Sequence, residues 1–550
     1  MRSFKGLAAC GVVAGSLGLA LGCANNYTCV DYKTCIVDGA VVDGSIDVVR
    51  GDAMGDGSAT THDGGAHDGS TDAGADGHGS DSGTGDGGKG DGGMDSGCNL
   101  TLGPSQEACI VSDTNGVFVA PASNGGSAGG TGTQTSPYLT ITQALANLKG
   151  TTRIFVCNGS YTDQITVTTA VSIYGGLTCG TPDSGVVGAW AYSTGTKGLV
   201  TGSSPAYVVE VNAGSNAVNI EDLELNGSTG TSSVPTSVGA LVLSSTNVTM
   251  ARVTLTSAGG FAGTKGMPGS NYTGTQASMG NAGSGALGGP TMTCTCMDDS
   301  TSAGGRGGVG DSMSPGNGVA GQPTIAGAPA SAGMGGTFAN PSCANGTLGA
   351  NSSNGSGGVG STSSGSLGSS GWTLGSSGMA GTNAGPAQGG GGGSGGLNLG
   401  LNEGGGGSGG CGGCGGGAGT GGSTGGSSFA LVSVNSIVTL SACTLTAGSG
   451  GVGGAGGAGE GGEPGGFGGT QASAGCPGGN GGNGGTGGGG GGGAGGHSVG
   501  IAYSGTQPMM TNGTTASAAS TAAIGGAAGS PAGTTGTAGS NGLNVSTMSF

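Results

Sequence analysis

Residues 240–258, ALVLSSTNVTMARVTLTSA, and 430–448, ALVSVNSIVTLSACTLTAG, share one pattern of apolar and polar positions. A gap-free slide of 190 (431 − 241) puts Leu241 on Leu431, Val248 on Val438, Met250 on Leu440 and Leu255 on Leu445. A third copy lies 30 positions earlier (248 − 218), at Val218, Ile220, Leu223 and Leu225. In each copy two apolar residues alternate with polar ones, two residues break the alternation, and two more apolar residues follow. Val248 and Met250, then Val253 and Leu255, are one example. A period of two means a strand with one buried face. The interrupting pair marks a corner at which the strand turns while keeping its apolar side inward. Self-similarity of this kind predicts a repeat fold, since one turn cannot bury its inner face alone and stacked turns can.

Further strands are predicted at 153–157, 164–168 and 171–174, within 207–225, and at SVGIAY, 498–503, which echoes SVGALV at 237–242. Ile141, Ala144, Leu145 and Leu148 instead follow helical spacing. Thr140 and Gln143 form a capping box there, and Gly150 is a stop. A short helix at this point would cover the open end of the first turn and blunt its unpaired edges.

The run FVAPASNGGSAGGTGTQTSPYLTITQAL, followed by RIFVCNGSYTDQITVTTAVSIYGGL, resembles the opening of a bacterial domain family of unknown function. The matching features are residues 118–121, Gly132 with Thr133, Ser-Pro-Tyr at 136–138, Thr-Ile at 140–141, the 158–161 turn and residues 174–176. That family begins right-handed parallel β-helices of the pectin-lyase type. The resemblance therefore implies an all-β solenoid with a short N-terminal capping helix, and carries no activity with it.

Composition changes the picture. Gly is 145 of 550 residues, charged residues are 7% and aromatics 3%, far from the roughly 7% Gly and 25% charged of ordinary globular chains. One modest folded body with large irregular additions is expected. Its turns are predicted at 98–256, at 428–446 and in a last turn that opens 498–550, the remainder of which is a low-complexity tail. Glycine-rich insertions occupy 257–427 and 447–497.

Within the insertions Gly407, Gly410, Gly413, Gly416, Gly419, Gly422 and Gly425 recur every third residue. So do the series from Gly453 to Gly468 and from Gly478 to Gly496. A three-residue period suits an extended left-handed helix with glycine on its packed edge. Stacked strands of the polyglycine-II kind and flexible coil both remain open; collagen does not, with Pro only 17 of 550. The tracts resemble the polymorphic glycine-rich sequences (PGRS) of bacterial surface proteins, without the amino-terminal domain those often carry.

At the amino terminus Arg2 and Lys5 precede the apolar run GLAACGVVAGSLGLALG, read as a secretory signal and too short to span a membrane. ALGC at 20–23 resembles the bacterial lipoprotein box, with Ala20 where the box usually has Leu. That resemblance implies a signal peptide at 1–22 and acylation of Cys23. Ala24, rather than Asp, implies sorting to the outer membrane of a Gram-negative bacterium. The alternatives are ordinary cleavage nearby, giving a secreted chain, or a periplasm-facing one. Residues 23–37 follow as the anchored terminus.

Formal charge is −17, concentrated at 38–97, where thirteen Asp stand against Arg50 and Lys89. Such a tract cannot bury enough apolar surface to fold, and is read as a disordered spacer. His62, His67 and His78 lie in it without the spacing of a metal site. Nothing basic is extensive enough to grip a phosphate backbone, so nucleic acid is not an expected partner. The expected partners are the membrane, through lipid, and extracellular polysaccharide or other surface proteins.

Fifteen cysteines in an exported chain predict disulfides. The close pairs are Cys29 with Cys35, Cys98 with Cys109 and Cys157 with Cys179. Cys411 and Cys414, in Cys-Gly-Gly-Cys, are also read as disulfide-forming rather than as a redox or zinc site. Cys443 falls in the apolar slot used by Leu223 and Val253, so it is expected to be a buried free thiol. No catalytic constellation emerges and no cofactor is expected: the expected role is structural or adhesive at the cell surface, and the alternative is a polysaccharide-binding or polysaccharide-cleaving lyase or hydrolase. The one acidic cluster on the repeats, Glu210, Glu221, Asp222 and Glu224, is the candidate patch for carbohydrate or Ca2+, against a solvated outer face.

Overall fold

The computed structural model describes residues 98–180, 190–397, 403–530 and 534–550, with the backbone of residues 27–29, 34–37 and 40–43. The chain divides after Gly93 into two units. In the first, Tyr27–Cys29, Thr34–Val37 and Ala40–Asp43 form an antiparallel sheet in which Cys29 stands opposite Cys35. The spacer expected from residue 38 thus begins on a strand, for which the apolar residues at 40–42 provide the material. The rest of that tract, Cys23 and the three histidines lie outside the described residues.

The second unit is all-β and is built on three parallel sheets that the chain visits in a fixed order. The first holds, in sequence order, Val117–Val119, Arg153–Cys157, Val171–Thr178, Val218–Glu221, Val248–Ala251, Val438–Ser441 and Met509–Thr511. The second holds Gly159–Asp163, Gly198–Gly202, Leu223–Asn226, Thr254–Thr256, Thr444–Thr446 and Thr515–Ser517. The third holds Ile165–Val167, Val209–Val211, Ser237–Leu243, Ser428–Val434, Ser498–Ser504 and Asn544–Ser549. Every strand pairs with its predecessor and successor in the same sheet. The apolar residues of the repeat therefore stack: Val171, Val218, Val248 and Val438 stand in register, as do Ile173, Ile220, Met250 and Leu440. These columns are the main core.

Residue spacing explains one departure from the expected alignment. The slide of 190 holds in the first and second sheets, at Val248 with Val438 and Leu255 with Leu445. In the third sheet Ala240, not Leu241, pairs with Leu431. The turn at 244–247 is one residue longer than the turn at 435–437, which absorbs the difference. A helix does lie over the first turn, at Ile141–Leu145, shorter than its apolar spacing allowed. Thr140 accepts from the Gln143 N–H at 3.1 Å, and Gln143 Oε1 reaches back to the Leu139 N–H rather than to that of Thr140.

The glycine-rich insertions leave the body at one corner, between the second sheet and the third: 257–427, 447–497 and 518–543. The glycine tracts in them are ordered. Gly407, Gly410, Gly413, Gly416, Gly419, Gly422 and Gly425 donate to the carbonyls of Cys476, Gly479, Gly482, Gly485, Gly488, Gly491 and Ala494, seven bonds with a three-residue step on both sides. Ser408, Cys411, Thr420, Ser423 and Gly426 serve a second neighbour within 261–281, and Gly406 and Gly409 a third within 305–308. Donors that rotate through three directions in three residues are the signature of a three-residue-per-turn extended helix.

The glycine edge is where the strands meet. A Cβ at Gly413 would stand 1.8 Å from the Glu463 carbonyl oxygen, at Gly462 1.9 Å from that of Gly484, and at Gly481 1.8 Å from that of Cys411. The three glycine series read from the sequence thus pack against one another. The strand at 404–417 is almost wholly buried although it has hardly any side chains. Its cohesion comes from backbone hydrogen bonds, each worth about 1 kcal/mol net, and from dispersion between closely spaced backbones.

Two segments of the expected insertion and tail belong to the body instead. The hairpin Gly365–Gly368 and Gly371–Leu374 lays Leu367 and Trp372 on the outer face of the third sheet, against Phe429 and Val432. Asn544–Ser549 adds the last strand to that sheet. Residues 523–530 and 534–539 bond into the slab, as in Gly453 to Ile524 and Gly456 to Ala527.

Candidate functional site

The interrupting pair of each repeat is a corner with a defined backbone. Asp222, Arg252, Ala442 and Asn512 occupy successive equivalent positions and all have positive φ, at 53°, 56°, 53° and 51°. This left-handed turn lets a non-glycine side chain project at the junction of the first and second sheets. Neighbouring turns thus set Asp222 directly beside Arg252.

The two form the charged centre of the site. Arg252 Nε donates to Asp222 Oδ1 and its Nη2 to Asp222 Oδ2, both at 2.8 Å. Nη2 also reaches Glu221 Oε2 at 2.5 Å and Ser105 Oγ at 3.3 Å. Tyr192 Oη donates to Asp222 Oδ2, and Asn219 Nδ2 to Glu221 Oε1. All four carboxylate oxygens thus accept from side chains. The Asp222 hydrogen bonds hold the Arg252 guanidinium above its ordinary pKa, and burial followed by the Asp222 charge raises that of Tyr192. Such an arrangement fixes charge. It ties the segment at 98–110, through Ser105, to the outer face of the first sheet, where Ile110 packs on Phe118 and Phe155.

Arg252→Met would leave two carboxylates without their cation. The cost for a fully buried pair is about 3–5 kcal/mol. Because the Arg252 side chain is 35% exposed, about 2 kcal/mol is expected in urea unfolding after discounting for solvent screening. Arg252→Lys should recover only part of it, since an ammonium cannot make the bidentate contact.

The other two acidic residues of the sequence patch do not join this pair. Glu224 sits on the second sheet beside Asn226, whose Nδ2 donates to it at 3.2 Å. Glu210 lies on the third sheet, near Tyr207. The four carboxylates are spread over three sheets because consecutive strands of one turn face different directions, which a linear spacing hides.

His497 marks a second environment. It is buried between Trp372 and Phe550, at ring distances of 5.7 and 6.3 Å. Its Nδ1 accepts from the Leu543 N–H at 3.0 Å, so a proton on this ring belongs on Nε2. Burial pushes its pKa down. The unfolded chain then binds a proton that the folded chain resists, so stability should fall as pH drops below about 6.5, the ordinary imidazole value. Thermal unfolding between pH 7 and 5 checks this, and the slope should shrink in His497→Gln.

Five disulfides are formed among the described residues. Cys98 pairs with Cys109 and Cys157 with Cys179, as the spacing predicts. Cys411 and Cys414 are bridged separately, to Cys294 and Cys296, and Cys343 pairs with Cys476. Adjacent extended strands bring these partners together, whereas Cys411 and Cys414 are set on one strand and point to the same neighbour. Cys443 is a buried free thiol, its pKa raised by burial. No helix among the described residues is long and apolar enough to cross a membrane. Comparison with family models, curated proteins and solved structures finds no match.

Proposed function

We propose that this chain is a lipid-anchored protein of the bacterial outer surface with a structural or adhesive role. In this reading Cys23 carries the lipid and the acidic tract spaces the body from the membrane. The body is a right-handed parallel β-helix of the pectin-lyase type, displaying the PGRS-like glycine strands from one corner. The observation that carries the structural role is the carboxylate pair at Glu221 and Asp222, whose oxygens are all engaged by Arg252, Tyr192 and Asn219. Groups committed to a bidentate ion pair serve cohesion rather than proton transfer.

The test has two parts. Metabolic labelling with a radioactive fatty acid should mark the wild-type chain and fail to mark Cys23→Ser. Protease shaving of intact cells should release fragments of the body. An unlabelled wild-type chain, or a body protected until the outer membrane is opened, would contradict the reading.

A further inference from the structure

Among the described residues, no apolar cluster packs on the outward side of the second sheet, as one does on each of the other two. The third sheet carries the Trp372 hairpin and the first carries the segment at 98–110. On the second sheet two outward columns run across all six strands in exact parallel register. One is Ser160, Leu199, Glu224, Thr254, Thr444 and Thr515. The other is Thr162, Thr201, Asn226, Thr256, Thr446 and Ser517. All twelve side chains are exposed or half-exposed, and nine end in a hydroxyl.

Three features describe what such a face fits. Strands about 4.8 Å apart and outward residues about 6.7 Å apart along each strand make a regular two-dimensional lattice. Seven of the twelve are threonine, stiff at χ1, so each of these holds one methyl and one hydroxyl in a fixed direction. The hydroxyls of Thr162, Thr201, Thr256, Thr444 and Thr515 donate no hydrogen bond within the described residues, so they are free to bond outward. Glu224 is the single charge in the columns, with Lys197 Nζ resting on Thr254 Oγ1 at 2.8 Å. There is no aromatic side chain among the twelve.

We propose that this face binds ice. Its partner is a flat, neutral, rigid lattice of hydrogen-bonding oxygens whose repeats are of the same order as the spacings of the threonine array. The methyl groups exclude loosely held water between the rows, and the hydroxyls join the first layer of the crystal. Ice binding by this face needs neither the lipid anchor nor surface display.

Ice recrystallisation in the presence of the full chain tests it. The chain should slow crystal coarsening. Thr256→Lys and Thr446→Lys, outward substitutions at a half-exposed and an exposed position that leave the core untouched, should each raise the concentration needed by about tenfold, equivalent to about 1.4 kcal/mol of adsorption free energy. Thr168→Lys, an exposed hydroxyl outside the columns, should change nothing. Absence of any effect by the wild-type chain overturns the proposal, as does an equal loss in Thr168→Lys. Retention on insoluble cellulose that Thr446→Lys abolishes, with no effect on ice, also overturns it and makes the face a glycan surface.

Discussion

Gly409→Ala is expected to unfold much of the glycine-rich slab, at a cost of roughly 3 kcal/mol or more from overpacking and a broken buried hydrogen bond. Gly409 is buried on the central strand, where its N–H donates to the Gly305 carbonyl at 2.8 Å. A Cβ there would meet the Gly390 carbonyl oxygen at 1.8 Å and its carbon at 2.4 Å. Both are backbone atoms with strands on their far side, so neither yields without moving a neighbour that is itself bonded on other edges. The paired control is Gly461→Ala, an exposed position with nothing within 4 Å of the added carbon and no positive φ. That change should be neutral, or stabilising by about 0.5 kcal/mol through the unfolded chain. Denaturant unfolding of the two variants side by side separates steric exclusion from a general cost of losing glycine.

The two bridges from Cys294 to Cys411 and from Cys296 to Cys414 should behave as one large constraint and one small one. Each closes a long loop, of 117 and 118 residues. Once either is present, the other closes only a ring of a few residues. On the loop-entropy relation, removing one bridge should cost roughly 2 kcal/mol and removing both roughly 7 kcal/mol, more than twice as much. Cys294→Ser with Cys411→Ser, Cys296→Ser with Cys414→Ser, and the fourfold variant form the series. Equal, additive losses would show that the bridges do not share one loop. The effect is large because the slab has few apolar side chains with which to hold 257–427 closed.

The apolar alternation was legible because side chains carry it. Val218, Val248 and Val438 could be set in one column from the sequence, and so could the corner shared by Asp222, Arg252 and Ala442. The burial of Cys443 followed from the same slot. The one-residue slip at Ala240 and Leu431 was not legible, since it depends on the length of a polar turn that has no pattern. Glycine leaves only a period. The three-residue spacing gave the strand symmetry, but not which strand lies beside which, because the choice of neighbour is written in backbone hydrogen bonds. The partners of Cys411 and Cys414 were hidden for the same reason. Leu367 and Trp372 were the available signal for the hairpin, two bulky apolar residues in a glycine tract with nothing nearby in sequence to bury them. The acidic patch dissolved because spacing along the chain cannot show that Glu210, Glu221 and Glu224 belong to different sheets.

Glycine strands with almost no side chains form an ordered, hydrogen-bonded core. Amide hydrogen exchange followed by mass spectrometry on the full chain addresses it directly. Peptides covering 404–426 should exchange as slowly as those covering the strands at 428–446, with protection continuous over the amides of 405–411, each of which donates to a neighbouring strand. Complete exchange of 404–426 within seconds, while 428–446 stays protected, would contradict the account.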